Sequence, residues 1–114
     1  MLEKLSFVML AVRDVDRAAT FYRDALGLTM TARFEEFAFF DTGEVTLALT
    51  SELGGGGESR GNECVFAVRS VEKVCAALRS RIEFLNEPCR VNDLNWAVNF
   101  RDPDGHLLSL YGPQ

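Results

Sequence analysis

Histidine and cysteine supply most metal-binding and nucleophilic chemistry in proteins, and this chain of 114 residues has one histidine and three cysteines. Cys64, Cys75 and Cys89 are odd in number and lack C-x-x-C spacing, so neither an oxidised secreted framework nor a zinc site is indicated. Cys64 and Cys75 fall at apolar-periodic positions, where a reduced cysteine packs as a small hydrophobe. Nothing around Cys89 marks it as a reactive thiol. Asp102-Pro103-Asp104-Gly105 is a turn: proline presets φ, aspartate bonds its own backbone and glycine accepts positive φ. Asp102 and Asp104, like Glu35-Glu36, therefore read as hairpin carboxylates and not as an acid–base pair. His106 follows the turn glycine three residues before Ser109, so strand alternation points it away from Ser109's face. It reads as an exposed or capping residue rather than a ligand or base. One histidine at a turn leaves no Ser/His/Asp or Cys/His arrangement to assemble.

Composition narrows the class of function. Twelve Lys and Arg against 17 Asp and Glu give a formal charge of −5. With no basic stripe, a nucleic-acid partner is not expected, because phosphate binding depends on clustered cations. No apolar run approaches the roughly 18–20 residues of a membrane span. Leu5–Val12 is apolar but only eight residues long, with no basic start and no small-residue cleavage site after it, so a signal peptide is not expected either. A cytoplasmic address and a single domain are the expectations.

The elements that must position any chemistry come as a repeat. Ala11-Val12-Arg13-Asp14-Val15-Asp16-Arg17 recurs as Ala67-Val68-Arg69-Ser70-Val71-Glu72-Lys73, a constant shift of 56 positions. Each copy opens with a strand, Leu5–Val12 or Glu63–Val68, and then meets a helix start at Asp14 or Ser70, good N-caps both. Val15, Ala18, Tyr22 and Ala25 form one helical stripe, stopped by Gly27; Val71, Val74, Cys75 and Leu78 form the other, with no glycine at its end. Strand patterns follow at Thr29–Phe34, Phe37–Asp41 and Val45–Thr50, then at Glu83–Val91, Asn95–Arg101 and Leu107–Tyr111. The order is strand-helix-strand-strand-strand, twice, in modules of about 1–50 and 62–114. A connector at 51–61 holds Gly54-Gly55-Gly56-Gly57, which without a following lysine and helix is a flexible linker and not a phosphate loop. Alternation puts Val8, Leu10 and Val12 on the helix side of the first strand, and Phe7, Met9 and Ala11 on the other. It likewise separates Leu47 and Leu49 from Ala48, Cys64 and Phe66 from Glu63 and Val65, and Leu108 and Leu110 from Ser109 and Tyr111. The second set in each pair is mixed, as suits a face lining a cavity.

Phe7-Val-Met-Leu-Ala-Val-Arg-Asp14 with Phe21-Tyr22-Arg23-Asp24-Ala25-Leu26-Gly27-Leu28 closely resembles the opening of the vicinal oxygen chelate superfamily. That group contains glyoxalase I, extradiol dioxygenases, fosfomycin-resistance transferases and bleomycin-resistance proteins. Phe100-Arg-Asp-Pro-Asp-Gly-His-Leu-Leu-Ser-Leu-Tyr111 resembles its closing strand, so the likeness runs from about Leu5 to Tyr111. It implies an α+β fold of two βαβββ modules whose mixed sheet curls around a cup, and commonly a homodimer. In the metal-dependent members the cup's His, Glu or Gln ligands would fall here on Phe7, Ala48, Glu63 and Ser109. Phe7 and Ala48 have no donor, and a neutral Ser109 is a poor ligand, whereas a catalytic site needs about three protein ligands. No metal and no other cofactor is therefore expected.

Glu63 is the candidate base, or the acceptor for a cationic or hydrogen-bond-donating ligand. After Gly61 and Asn62 it reads equally as a solvated carboxylate at the start of a strand; inside an apolar cup beside Phe7 and Val65, it would be desolvated. Phe7, Met9, Ala48, Glu63, Val65, Trp96, Ser109 and Tyr111 are the expected ligand-binding residues, with Trp96 stacking on a planar ligand or, equally, packing in the core or at a dimer contact. The leading expectation is a bleomycin-resistance-type, antibiotic-resistance-like protein that holds a small organic ligand, cationic or aromatic, in an apolar cup without a metal. The alternative is an enzyme of the same superfamily: a lyase, transferase or dioxygenase, or a metal-free isomerase or hydrolase using Glu63. A small interaction module with an idle cup is a third.

Overall fold

The aromatic and β-branched runs pair into two four-stranded mixed sheets, each with its own helix, in a computed structural model that describes residues 3, 5–52 and 62–114. The chain divides into two compact units, Met1–Gly57 and Glu58–Gln114. From position 53 to 61 the glycine-rich connector lies outside the described residues.

Unit 1 contains β1 (Phe7–Ala11), α1 (Val15–Thr20), β2 (Thr29–Phe34), β3 (Phe37–Asp41) and β4 (Thr46–Thr50). The sheet order is β1-β4-β3-β2, with β1 parallel to β4 and the other pairs antiparallel. Asp14 caps α1 as its sequence suggests, its carboxylate accepting the Arg17 amide at 3.1 Å. The helix then widens into a π-type turn over Phe21–Ala25 and stops at Gly27, where φ is +75°. Val15, Ala18 and Tyr22 are buried with Leu10, Phe40, Leu47 and Leu49, and the Tyr22 ring lies 5.9 Å from that of Phe40.

Unit 2 repeats the plan with β5 (Glu63–Ala67), α2 (Val71–Leu78), β6 (Cys89–Arg90), β7 (Trp96–Arg101) and β8 (Leu107–Gly112), ordered β5-β8-β7-β6. Ser70 caps α2 by accepting the Lys73 amide at 3.2 Å. Val71, Cys75 and Leu78 are buried with Val98, Phe100, Leu108 and Leu110. Burial pushes the thiols of Cys75 and half-buried Cys64 above the ordinary range, so both pack as neutral groups.

Two expectations need correction. Glu83–Val91 is not a continuous strand: only Cys89–Arg90 pairs with β7, and Phe84 makes a lone bridge to Phe100. Pro88 has no amide for a ladder, and the Asn86 side chain accepts the Asn99 backbone N–H at 3.0 Å where a strand carbonyl would stand. His106 is buried, 8% exposed, rather than open to solvent. The Asp102 carboxylate accepts the backbone amides of Asp104 and His106 at 2.9 and 2.8 Å, drawing the turn inward.

Candidate functional site

The face of unit 1 away from α1 is aromatic. Met9 pairs with Ala48 and Ala48 with Phe39, so one side of β1, β4 and β3 presents Phe7, Met9, Ala48, Phe37 and Phe39 together. Phe34 on β2 joins them, its ring edge-on to Phe39 with centroids 6.1 Å apart. Phe7 meets Phe39 edge-on at 6.2 Å, and Phe37 stacks on it at 5.9 Å. Ala48 is fully buried beneath, yet Phe34, Phe7 and Met9 remain 60%, 52% and 44% exposed. These exposed side chains form a contiguous apolar patch, unlike the single scattered hydrophobes of an ordinary surface.

The corresponding face of unit 2 is polar. Register sets Val65, Ser109 and Asn99 side by side on β5, β8 and β7. Asn99 Nδ2 donates to Ser109 Oγ and, at 3.2 Å, to Glu63 Oε2; Ser109 Oγ donates to the same Oε2. Asn86 decides which way the Asn99 amide points. Its Nδ2 donates to Asn99 Oδ1 at 2.8 Å, which leaves Asn99 Nδ2 turned toward the carboxylate. Glu63 Oε2 thus takes both bonds, while Oε1 accepts none among the described residues. Tyr111 borders the same face, its hydroxyl accepting from Asn92 Nδ2 at 3.2 Å.

The sequence-derived residues sort cleanly onto these faces. Phe7, Met9 and Ala48 meet on unit 1, and Glu63, Val65, Ser109 and Tyr111 meet on unit 2. Trp96 does not join them. It alternates with buried Val98 and Phe100, three positions from Asn99, so its ring lies on the α2 side of β7. Desolvation of Glu63 is also not found in this chain: the residue opens edge strand β5 and is exposed. Asn86 and Asn99 were missed. The signal available was a lone asparagine between Val98 and Phe100, on the side of the strand that alternation assigns to Ser109.

The donors do not fit a catalytic metal of the kind the resemblance implies. Phe7 and Ala48 offer hydrocarbon, and Glu63 and Ser109 are bonded to each other. Among the described residues no three His, Cys, Asp or Glu side chains group closely enough to hold an ion.

Comparison with known proteins places the fold. Residues 4–110 match the family model of the Glyoxalase/Bleomycin resistance protein/Dioxygenase superfamily. The protein YraH of Bacillus subtilis, itself uncharacterized, is 31% identical over 124 residues, covering 95% of this chain and 97% of its own. Glutathione transferase FosA of Serratia marcescens is 29% identical over 120 residues, covering 97% of this chain and 82% of its own. Among solved structures, TnmS3, an antibiotic binding protein from Streptomyces sp. CB03234, superposes with a TM-score of 0.79 at 18% identity, over 99% of this chain and 98% of that one. With paired βαβββ units and a family match over nearly its whole length, the chain belongs to the Glyoxalase/Bleomycin resistance protein/Dioxygenase superfamily.

Proposed function

We propose that this chain binds a small organic molecule without a catalytic metal. The observation that carries the reading is the cluster of Phe7, Phe34, Phe37 and Phe39 with Met9, left half open on the sheet face of unit 1. Edge-on and stacked rings on one face of the sheet suit a planar apolar body, and their half-exposure leaves area to be buried by a ligand. On unit 2, Glu63 is held by Ser109 and Asn99 with Oε1 left over, which suits the N–H or O–H of a cationic or donor-bearing compound. The antibiotic-binding neighbour TnmS3 supports the binder reading by likeness of fold. A homodimer in the cytoplasm is the working form we propose.

The test is a thermal-shift screen of chelator-treated protein against planar aromatic amines. A compound at 100 times its Kd should stabilise the protein by about 2.7 kcal/mol. Phe39→Ala should at least halve the shift. A shift that appears only when Zn, Mn, Ni or Fe is restored defeats the metal-free reading.

One observation favours a second reading, an enzyme with Glu63 as base: the relative of 29% identity is a glutathione transferase. In that case Glu63→Gln would remove turnover and leave affinity in place, whereas a binder would lose affinity alone.

A further inference from the structure

The α2 side of unit 2 carries a cavity of about 350 Å³, on the far side of the sheet from Glu63. Its size falls at the lower end of the ~300–1,000 Å³ typical of small-ligand sites. One stripe of α2 forms a wall, with Glu72, Cys75, Ala76 and Arg79 one turn apart or adjacent on the same helix face. Glu87 and the Trp96 ring face them from the bend before β6 and from the start of β7. The charges inside do not cancel. Arg79 pairs with Glu87 at 2.7 Å and lies 5.8 Å from the centroid of the Phe84 ring, so its charge is already answered twice. Glu72 has no ion-pair partner among the described residues. The cavity therefore combines an aromatic wall with the unpaired Glu72 side chain, and Pro88 and Gln114 complete its lining. A lone carboxylate is too few ligands for a divalent cation, and the engaged Arg79 gives an anion nothing to bind. Cys75, 1% exposed, contributes packing and not reactivity.

We propose that this cavity is a binding site for a small organic ammonium cation, its positive head set against the Trp96 ring and its charge answered by Glu72. Such a cation gains from the ring's negative face and from the carboxylate at once, while its apolar body fills the space between α2 and β7. The site belongs to unit 2 and the aromatic face to unit 1, and its test does not depend on what that face binds.

Trp96 is the only tryptophan of the chain, so its fluorescence reports on this cavity alone. The experiment titrates the intact protein with benzyltrimethylammonium, and with benzyl alcohol and phenylacetate as neutral and anionic counterparts. Only the cation should give a saturable change. Glu72→Gln should weaken it roughly five- to tenfold. Ala76→Leu, at an exposed helical position that tolerates leucine, should weaken it by filling the space. Glu63→Gln should leave the titration as in the wild type, which separates this site from the face proposed above. The proposal is overturned if phenylacetate or benzyl alcohol gives the same curve as the cation. It is equally overturned if Glu72→Gln binds as wild type does, or if no saturable change occurs through the millimolar range.

Discussion

Met9, Ala48 and Phe39 occupy the same positions in the sheet of unit 1 that Val65, Ser109 and Asn99 occupy in the sheet of unit 2. The strand order, the parallel first pair and the helix caps are shared as well. What differs is the side chain placed at each matched point. Unit 1 carries hydrocarbon and stacked rings, and unit 2 carries a carboxylate tied to a serine and to an asparagine that a second asparagine holds. One backbone plan thus supplies two surfaces with different chemistry, an apolar platform and a charged acceptor. The difference is set by a few residues on the outward face, since the buried helix-facing residues of both sheets are apolar.

The largest effect should come from breaking the division between the two faces of one strand. Phe40, fully buried on β3, should cost about 3–5 kcal/mol when changed to Ala, read by denaturant unfolding. Its neighbour Phe39, on the half-open side, should cost about 1–2 kcal/mol as Phe39→Ala and instead lose ligand binding. Equal stability losses would mean that the aromatic face is an ordinary core.

Asn99→Ala attacks the polar counterpart. It strips Glu63 and Ser109 of a donor and leaves Asn86 Nδ2 without its acceptor, for a loss of about 0.5–1.5 kcal/mol. Asn86→Ala should lower the affinity of donor-bearing ligands in parallel with Asn99→Ala, because Asn86 orients the Asn99 amide. An Asn86→Ala protein that binds such ligands as the wild type does would show that Asn99 needs no support.

The smallest effect is a pH effect, and it belongs to unit 2, since all three cysteines lie there. Burial raises the folded-state pKa of Cys64 and Cys75 above the ordinary thiol value of 9.0. The native state then keeps protons that the unfolded chain has lost. Stability contributed by these thiols is full below that value and falls as pH rises through the folded pKa. Unfolding of wild type and of Cys75→Val across the alkaline range should show a shallower decline in the variant.

Much of this was legible in the sequence. The repeat, the caps at Asp14 and Ser70 and most strand edges follow from alternation and local turn chemistry, which act over a few residues. Gly43 and Gly105 close their turns at positive φ as the Asp-x-Gly and Pro-Asp-Gly spacings require. The misses were long-range. Asn86 replaced a strand bond by a side-chain bond to a residue thirteen positions away, which no local pattern encodes. Trp96 stands within a strand expected to border the cup, although counting alternation back from Ser109 through its partner Asn99 puts it on the helix side. The Glu63 network needed both the β5–β8 pairing and the β7–β8 register, and neither can be read from one strand alone.

The most direct test is a calorimetric titration of chelator-treated protein with the tightest planar aromatic amine from the screen, comparing wild type with Phe39→Ala. Saturable binding without added metal, weakened at least about tenfold by Phe39→Ala, is the expected result. Binding that requires a restored metal ion, or that is indifferent to Phe39, would contradict the assignment of the unit 1 face as the ligand platform.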